Sequence, residues 1–107
     1  MPAAARLGDT ISTGHGCDGT STIDDTLIAG SLISKVTIDG IIAAVIGDAI
    51  AEHNIPDEDD EDACVSHSAT VGGSSSKVKF EGIYAARFGD GADSGTITSG
   101  SLNVLIG

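Results

Sequence analysis

Large aromatic side chains are nearly missing from this chain: there is no Trp, and Phe80, Tyr84 and Phe88 are the only aromatics among 107 residues. A domain of this length buries roughly two-thirds of its unfolded surface, so its core has to be filled by small aliphatic groups. Ordering the backbone costs roughly 1–2 kcal/mol per residue, and a modest core leaves room for a metal or a partner to add stability. Basic residues are scarce as well. Five Lys and Arg stand against 16 Asp and Glu, a formal charge of -11. Such a surface repels phosphate backbones and anionic headgroups, which excludes nucleic acid as a partner.

Long apolar runs are also lacking. The longest, Ile41 to Ile46, is far too short to cross a bilayer. The opening "MPAAARLGD" has no basic region followed by an apolar stretch, so it does not read as a secretion signal. A soluble chain in a reducing compartment is expected, where the two cysteines, Cys17 and Cys64, stay free or bind metal. A Cys17–Cys64 disulfide is the less favoured alternative.

What the chain does have is repetition, the first thing to look for when strands are short. "AARLGD" ends at Asp9, "AAVIGD" at Asp48 and "AARFGD" at Asp90. Two of these are preceded by matched segments of equal length, "SKVTIDGIIAAVIGD" from Ser34 and "SKVKFEGIYAARFGD" from Ser76. A Gly-Ser landmark at Gly30-Ser31 and Gly100-Ser101 becomes Gly72-Gly73 in the middle copy, and the last copy closes with "NVLIG". Three repeats result, at about residues 1–40, 41–82 and 83–107, within a single domain spanning 1–107.

The apolar spacing within the copies is that of strands. Val36 and Ile38, Val78 and Phe80, and Val104 and Ile106 are each two residues apart and so share a strand face. "IDGI" and "FEGI" are turn signals where a hairpin is needed. The stretch "IDGIIAAVIGDAIAEHN" has some helix-compatible spacing, but Gly40 and Gly47 interrupt it and the matching third-copy stretch is richer still in Gly. Equivalent segments share a fold, so an all-β protein without a helix of consequence is predicted.

Between each Gly-Asp and the next landmark lies an irregular stretch, and long irregular stretches in a compact domain are usually functional. All three histidines and both cysteines fall in the first two of these stretches. An approximate threefold arrangement would bring equivalent loops together at one end. Zinc takes four nitrogen or sulfur donors in a tetrahedron, and "CVSH" at 64 to 67 has the reach of a half-site. The preferred ligand set is His15, His53, Cys64 and His67, with Cys17 as the rival sulfur.

Other chemistry finds less support. "PDEDDED" from Pro56 to Asp62 lacks the alternation, central Gly and terminal Glu of an EF-hand loop, and reads as a solvated acidic loop tip. No GxSxG elbow, P-loop or HExxH occurs. The Asp after each repeated Gly reads as a turn-forming side chain bonded to nearby backbone N–H groups. An enzyme is not expected; a catalytic metal would need an open coordination position, which four protein ligands would close.

The residues "MPAAARLGD", "TGHGC" at 13 to 17, "GDAIAEH" at 47 to 53, "YAARFGD" at 84 to 90 and the closing "GSLNVLIG" together resemble the PAAR-repeat proteins, the spike tips of contractile injection machines. The resemblance spans essentially the whole chain. It implies a small cone of β-strands with pseudo-threefold symmetry and a structural Zn2+ at its apex, held by histidines and a cysteine, with iron as the other metal to consider. It further implies a base bound to a trimeric β-helical spike, one copy per trimer, and transient contact with a target membrane. Made in a bacterial cytoplasm, such a protein ends at the tip of a phage tail or injection-system spike. An adaptor docking effector or cargo proteins onto the spike is the alternative. The chain departs from the family pattern in carrying Val45 where Arg is usual, and in having "GADSG" (Gly91 to Gly95) where many relatives place a third-loop Cys. The second departure is a further reason for assigning the fourth ligand to Cys64.

Overall fold

The computed structural model describes residues 1–24, 31–60 and 62–107, so Gly30 of the Gly-Ser landmark and Glu61 of the acidic run lie outside the described residues. Among the described residues there are ten short strands and no helix. In chain order these are β1 (Thr10–Ser12), β2 (Thr20–Thr22), β3 (Thr37–Ile38), β4 (Ile41–Ile42), β5 (Ala49–Pro56), β6 (Cys64–Thr70), β7 (Lys79–Phe80), β8 (Ile83–Tyr84), β9 (Gly91–Ala92) and β10 (Gly95–Thr96). They pair in order as five two-stranded antiparallel sheets. The segment with mixed helix and strand signals is extended, supplying β4 and β5.

Two-stranded sheets this short are marginal alone. Here the repeated segments cross-bond. The Ala5 N–H donates to the Ala86 carbonyl, Ala86 to Ala44, and Ala44 back to Ala5, each at 3.0 Å. All three alanines are fully buried. Chains that approach so closely leave room for a methyl group and little more, which accounts for Ala at all three positions. Isolated bridges close a second ring one residue to either side, at Ala4–Arg87, Arg6–Ala43 and Val45–Ala85. A third ring joins Ile11 to Ile97, Ile23 to Ile50 and Val71 to Ala92.

The Gly-Asp turns repeat with the same bonds. Gly8, Gly47 and Gly89 have φ of 89°, 91° and 86°, a left-handed backbone that strongly favours Gly. Each following Asp accepts the N–H three residues back: Arg6 to Asp9 at 2.7 Å, Val45 to Asp48 at 2.8 Å and Arg87 to Asp90 at 2.7 Å. The predicted hairpin turns hold as well, with Thr37 opposite Ile42 and Lys79 opposite Tyr84. A third pairing of this type joins the chain's two ends: Ala4 N–H donates to Val104 as Ala43 does to Val36 and Ala85 to Val78.

The core lies in two apolar groups. One gathers Ile33, Ile38, Val45 and Ile106 around Ala4, Ala43 and Ala85; the other places Leu7, Ile11, Ile23, Ile50, Val71 and Ile97 around the Ala5, Ala44 and Ala86 ring. Phe80 sits at the margin of the first, and Phe88 is exposed. Aliphatic side chains therefore do most of the packing, as the composition requires.

Asp48 breaks the charge pattern of the repeats. Asp9 and Asp90 pair with Arg6 and Arg87 at 3.2 and 2.9 Å, whereas Val45 occupies the corresponding position before Asp48. The buried Asp48 accepts the Leu32 N–H at one oxygen and the Val45 N–H at the other. Burial pushes its carboxyl above the usual range, with the two backbone bonds opposing that shift. Asp48→Asn would turn an NH2 toward one of those donors. Denaturant titration should show a loss of about 1–3 kcal/mol, the cost of leaving a buried donor unsatisfied; an unchanged midpoint would contradict the acceptor-only role.

Candidate metal centre

β5 and β6 form the longest hairpin, with His53 directly opposite His67 after a register shift between Ile50 and His53. The third imidazole comes from the β1–β2 connection. There the buried Thr13 hydroxyl donates to the Asp18 carbonyl at 2.7 Å and accepts the His15 N–H at 3.2 Å, folding the chain so that His15 turns inward. The fourth member is Asp93, in the turn between β9 and β10 at φ 54°. Ser94 N–H donates to the Thr13 carbonyl at 3.0 Å, tying that turn to the His15 loop. The two segments touch so closely that a Cβ on Gly14, itself at φ 75°, would lie 2.5 Å from the Ser94 carbonyl oxygen. Gly at 14 is what permits this approach.

All three imidazoles aim Nε2 at one carboxylate. His15 Nε2 is 2.9 Å and His67 Nε2 3.1 Å from Asp93 Oδ1, and His53 Nε2 is 2.7 Å from Oδ2. Ring centroids are 5.2 Å apart for His15–His67 and His53–His67, and 6.4 Å for His15–His53. The Asp93 and His53 side chains are 6% and 3% exposed, while those of His15 and His67 keep 24% and 29%. One ligand atom each from His15, His67 and Asp93 lies within 4.8 Å of the others, so this group could hold a metal ion.

His53 supplies a test of fit. Its Nδ1 lies 2.9 Å from the Ala51 carbonyl oxygen, which can only accept. Nδ1 therefore carries a proton, and in a neutral imidazole the other nitrogen then has only a lone pair. A lone pair 2.7 Å from a carboxylate is repulsive. The contact becomes favourable if Nε2 is also protonated or if a cation sits among the donors. A ring nitrogen fixed by a backbone carbonyl, with its other nitrogen turned to a shared point, is the usual arrangement of a metal-ligating histidine. Three imidazoles and a carboxylate suit zinc or another divalent first-row ion.

Burial pushes the Asp93 carboxyl up, but hydrogen bonds from His15, His67 and His53 outweigh it and hold the group down at about 2. A carboxyl lowered on folding adds stability that is complete above its unfolded value near 3.9 and disappears as pH falls through its folded one. Metal-free protein should therefore lose stability between about pH 4 and pH 2 through this group. Asp93→Asn should flatten that part of a melting-temperature-against-pH curve, and an unaltered curve would show that the carboxyl is not held by its neighbours.

The sequence-predicted ligands divide. His15, His53 and His67 come together; Cys64 does not join them. Its sulfur is bonded to that of Cys17, with Cα atoms 6.3 Å apart, so neither cysteine offers a thiolate, and the disfavoured disulfide is the state found. The strand register supplies the reason. Cys64 faces Pro56, farther along the hairpin than the His53–His67 pair, where Cys17 meets it from the neighbouring connection at φ 63°. Asp93, not sulfur, stands among the three imidazoles. It belongs to the third-copy "GADSG" stretch, which a search restricted to His and Cys passes over. The equivalence of that stretch to the two His-bearing ones was the available signal.

Between β5 and β6, Asp59 N–H donates to the Asp57 carboxylate and Asp62 N–H to that of Asp60, each at 3.0 Å. The carboxylates of Asp57 and Asp60 are thus engaged in local turn bonds, in line with a solvated tip. No protein-family model matches the chain, and no curated protein matches it.

Proposed function

We propose that this protein is the metal-stapled tip of a trimeric β-helical spike in a contractile injection machine, where it sharpens the spike for piercing a target envelope. The observation that carries the reading is the closed ring of bonds joining Ala5, Ala44 and Ala86, to which each sequence copy contributes one member. A single chain with three equivalent segments about one axis offers nearly the same surface to each subunit of a C3 trimer, so one copy suffices to cap it. The PAAR-like segments agree with this, and so does an elongated body of 42 × 28 × 21 Å. On this reading the fold is a small pseudo-threefold cone, with the His–Asp cluster toward its narrow end.

The mechanism is mechanical. Imidazoles from the first two copies and a carboxylate from the third converge, and His15, His53, His67 and Asp93 would hold a structural Zn2+ between them. When bound, such an ion contributes folding free energy directly. The protein's own residues position the ligands: Ala51 orients His53, Thr13 turns His15 inward, and the Ser94–Thr13 bond holds Asp93 against both. Force applied along the spike would then meet a point that resists splaying.

Mixing the purified chain with a trimeric β-helical spike protein, followed by native mass spectrometry, should give one chain per three spike subunits. Three chains per trimer, or no complex at any concentration, would defeat the reading. The exposed acidic side chains of Glu58, Asp59, Asp60 and Asp62 also suit a cargo-docking adaptor; deletion of residues 57–62 should then abolish delivery of a partner while the spike complex still forms.

A further inference from the structure

We propose that Cys17 and Cys64 are a reversible thiol–disulfide latch, fastening the outer part of the β5–β6 hairpin to the β1–β2 connection without taking part in metal binding. Three observations lead there. Three imidazoles surround Asp93, making four potential donors with its carboxylate and without sulfur, and Thr13, Ala51 and Ser94 position His15, His53 and Asp93 without help from either cysteine. Cys64 stands opposite Pro56, three residues beyond the His53–His67 pair along the hairpin, so the covalent bond closes the outer end of the hairpin and not the cluster itself. Both cysteines are exposed and open to exchange with a thiol or disulfide in solution.

The two segments also meet through bonds that do not involve sulfur. Asp18 N–H donates to the Asn54 carbonyl at 3.0 Å, and Asn54 N–H donates to the Asp18 carboxylate at 2.8 Å. These contacts keep the thiols near each other when the latch is open, so closing it requires little further ordering. Closure proceeds by attack of one cysteine thiolate on a low-molecular-weight disulfide such as oxidised glutathione, releasing one glutathione thiol. The second cysteine thiolate then attacks the mixed disulfide and releases the other. Two cysteine thiols are oxidised, one glutathione disulfide is reduced to two thiols, and the two protons lost by the cysteines are taken up by those thiols. A thiol-rich compartment favours the open form and oxidising surroundings the closed one. The metal cluster, containing no sulfur, is unaffected in either. The latch itself does not depend on the spike-tip reading, while the zinc arm of its test rests on the metal centre proposed above.

The experiment uses the full chain loaded with zinc. One portion is equilibrated with oxidised glutathione and another with dithiothreitol, and each is alkylated with iodoacetamide for mass measurement, assayed for zinc after desalting and followed by amide hydrogen exchange. The expected result is two alkylated cysteines in the reduced form and none in the oxidised one. Exchange near residues 17–18 and 57–64 should be at least ~10-fold faster when reduced, with one zinc per chain in both. Because dithiothreitol itself binds zinc, Cys17→Ser/Cys64→Ser, which needs no reductant, should also carry one zinc; wild-type protein reduced and desalted gives the same reading should that variant fail to fold. Zinc lost from both the serine variant and the desalted reduced protein would make sulfur a ligand and overturn the proposal. So would cysteines that stay alkylatable after oxidation, or hairpin exchange that ignores the thiol state.

Discussion

Asp93→Asn should lower zinc affinity by at least about 100-fold, read by competition with a chromophoric chelator. Changes to groups that merely orient a metal ligand already cost about 10–100-fold, and Asp93 is the carboxylate on which all three imidazoles converge. The substitution keeps the side chain's shape and removes its charge, so loss of affinity reports on the anion and not on packing. Cys64→Ser serves as the comparison. A serine variant that keeps its zinc beside an asparagine variant that loses it would establish a nitrogen and oxygen donor set; the reverse pattern would restore the thiolate that the sequence favoured. Because metal binding free energy becomes folding free energy when the site exists only in the folded chain, chelation of wild-type protein should lower its melting temperature. Chelation of Asp93→Asn should scarcely change it.

Reducing the Cys17–Cys64 bond should remove about 4 kcal/mol of stability, the loop-entropy value for cysteines separated by 47 residues. In a domain of this size that corresponds to a fall of roughly 15–30 °C in melting temperature. The effect is large because the bond joins segments from two different sequence copies and so restricts nearly half of the unfolded chain. Calorimetry of Cys17→Ser/Cys64→Ser beside the oxidised parent measures it. A drop of only a few degrees would mean that the Asp18–Asn54 bonds and the β5–β6 ladder hold this region with little help from the covalent link.

These two results bear on the places where sequence and structure part company. The repeats were legible because their cause is local and recurrent: a left-handed Gly, an Asp accepting the N–H three residues back, and an Ala pair small enough for close approach. The hairpin at Asp39-Gly40 was legible for the same reason, its turn chemistry lying within four residues. The strand reading of residues 38–54 depended on equivalence between copies, since local propensity alone was ambiguous there, and the long β5–β6 hairpin lies in a stretch expected to be irregular.

The gathering of the histidines was legible in their distribution, but the carboxylate they meet was not. Asp is the commonest kind of charged residue in so acidic a chain, and nothing in its one-letter code separates Asp93 from the carboxylates at 57–62. What separates it is a backbone bond from Ser94 to Thr13 and a contact at Gly14 that admits no side chain. Likewise, the spacing of Cys64 and His67 suits a shared metal, yet strand register sends the cysteine past the cluster toward Cys17.

By itself, then, the amino-acid sequence determined an all-β chain of three related segments, a core of small aliphatic groups, a strongly anionic surface and the three imidazoles. Tertiary structure decided which carboxylate joins them and that the two sulfurs join each other. The physical reason is that turns and strand faces follow from neighbours along the chain, whereas a ligand set depends on registers and close approaches between segments that lie tens of residues apart.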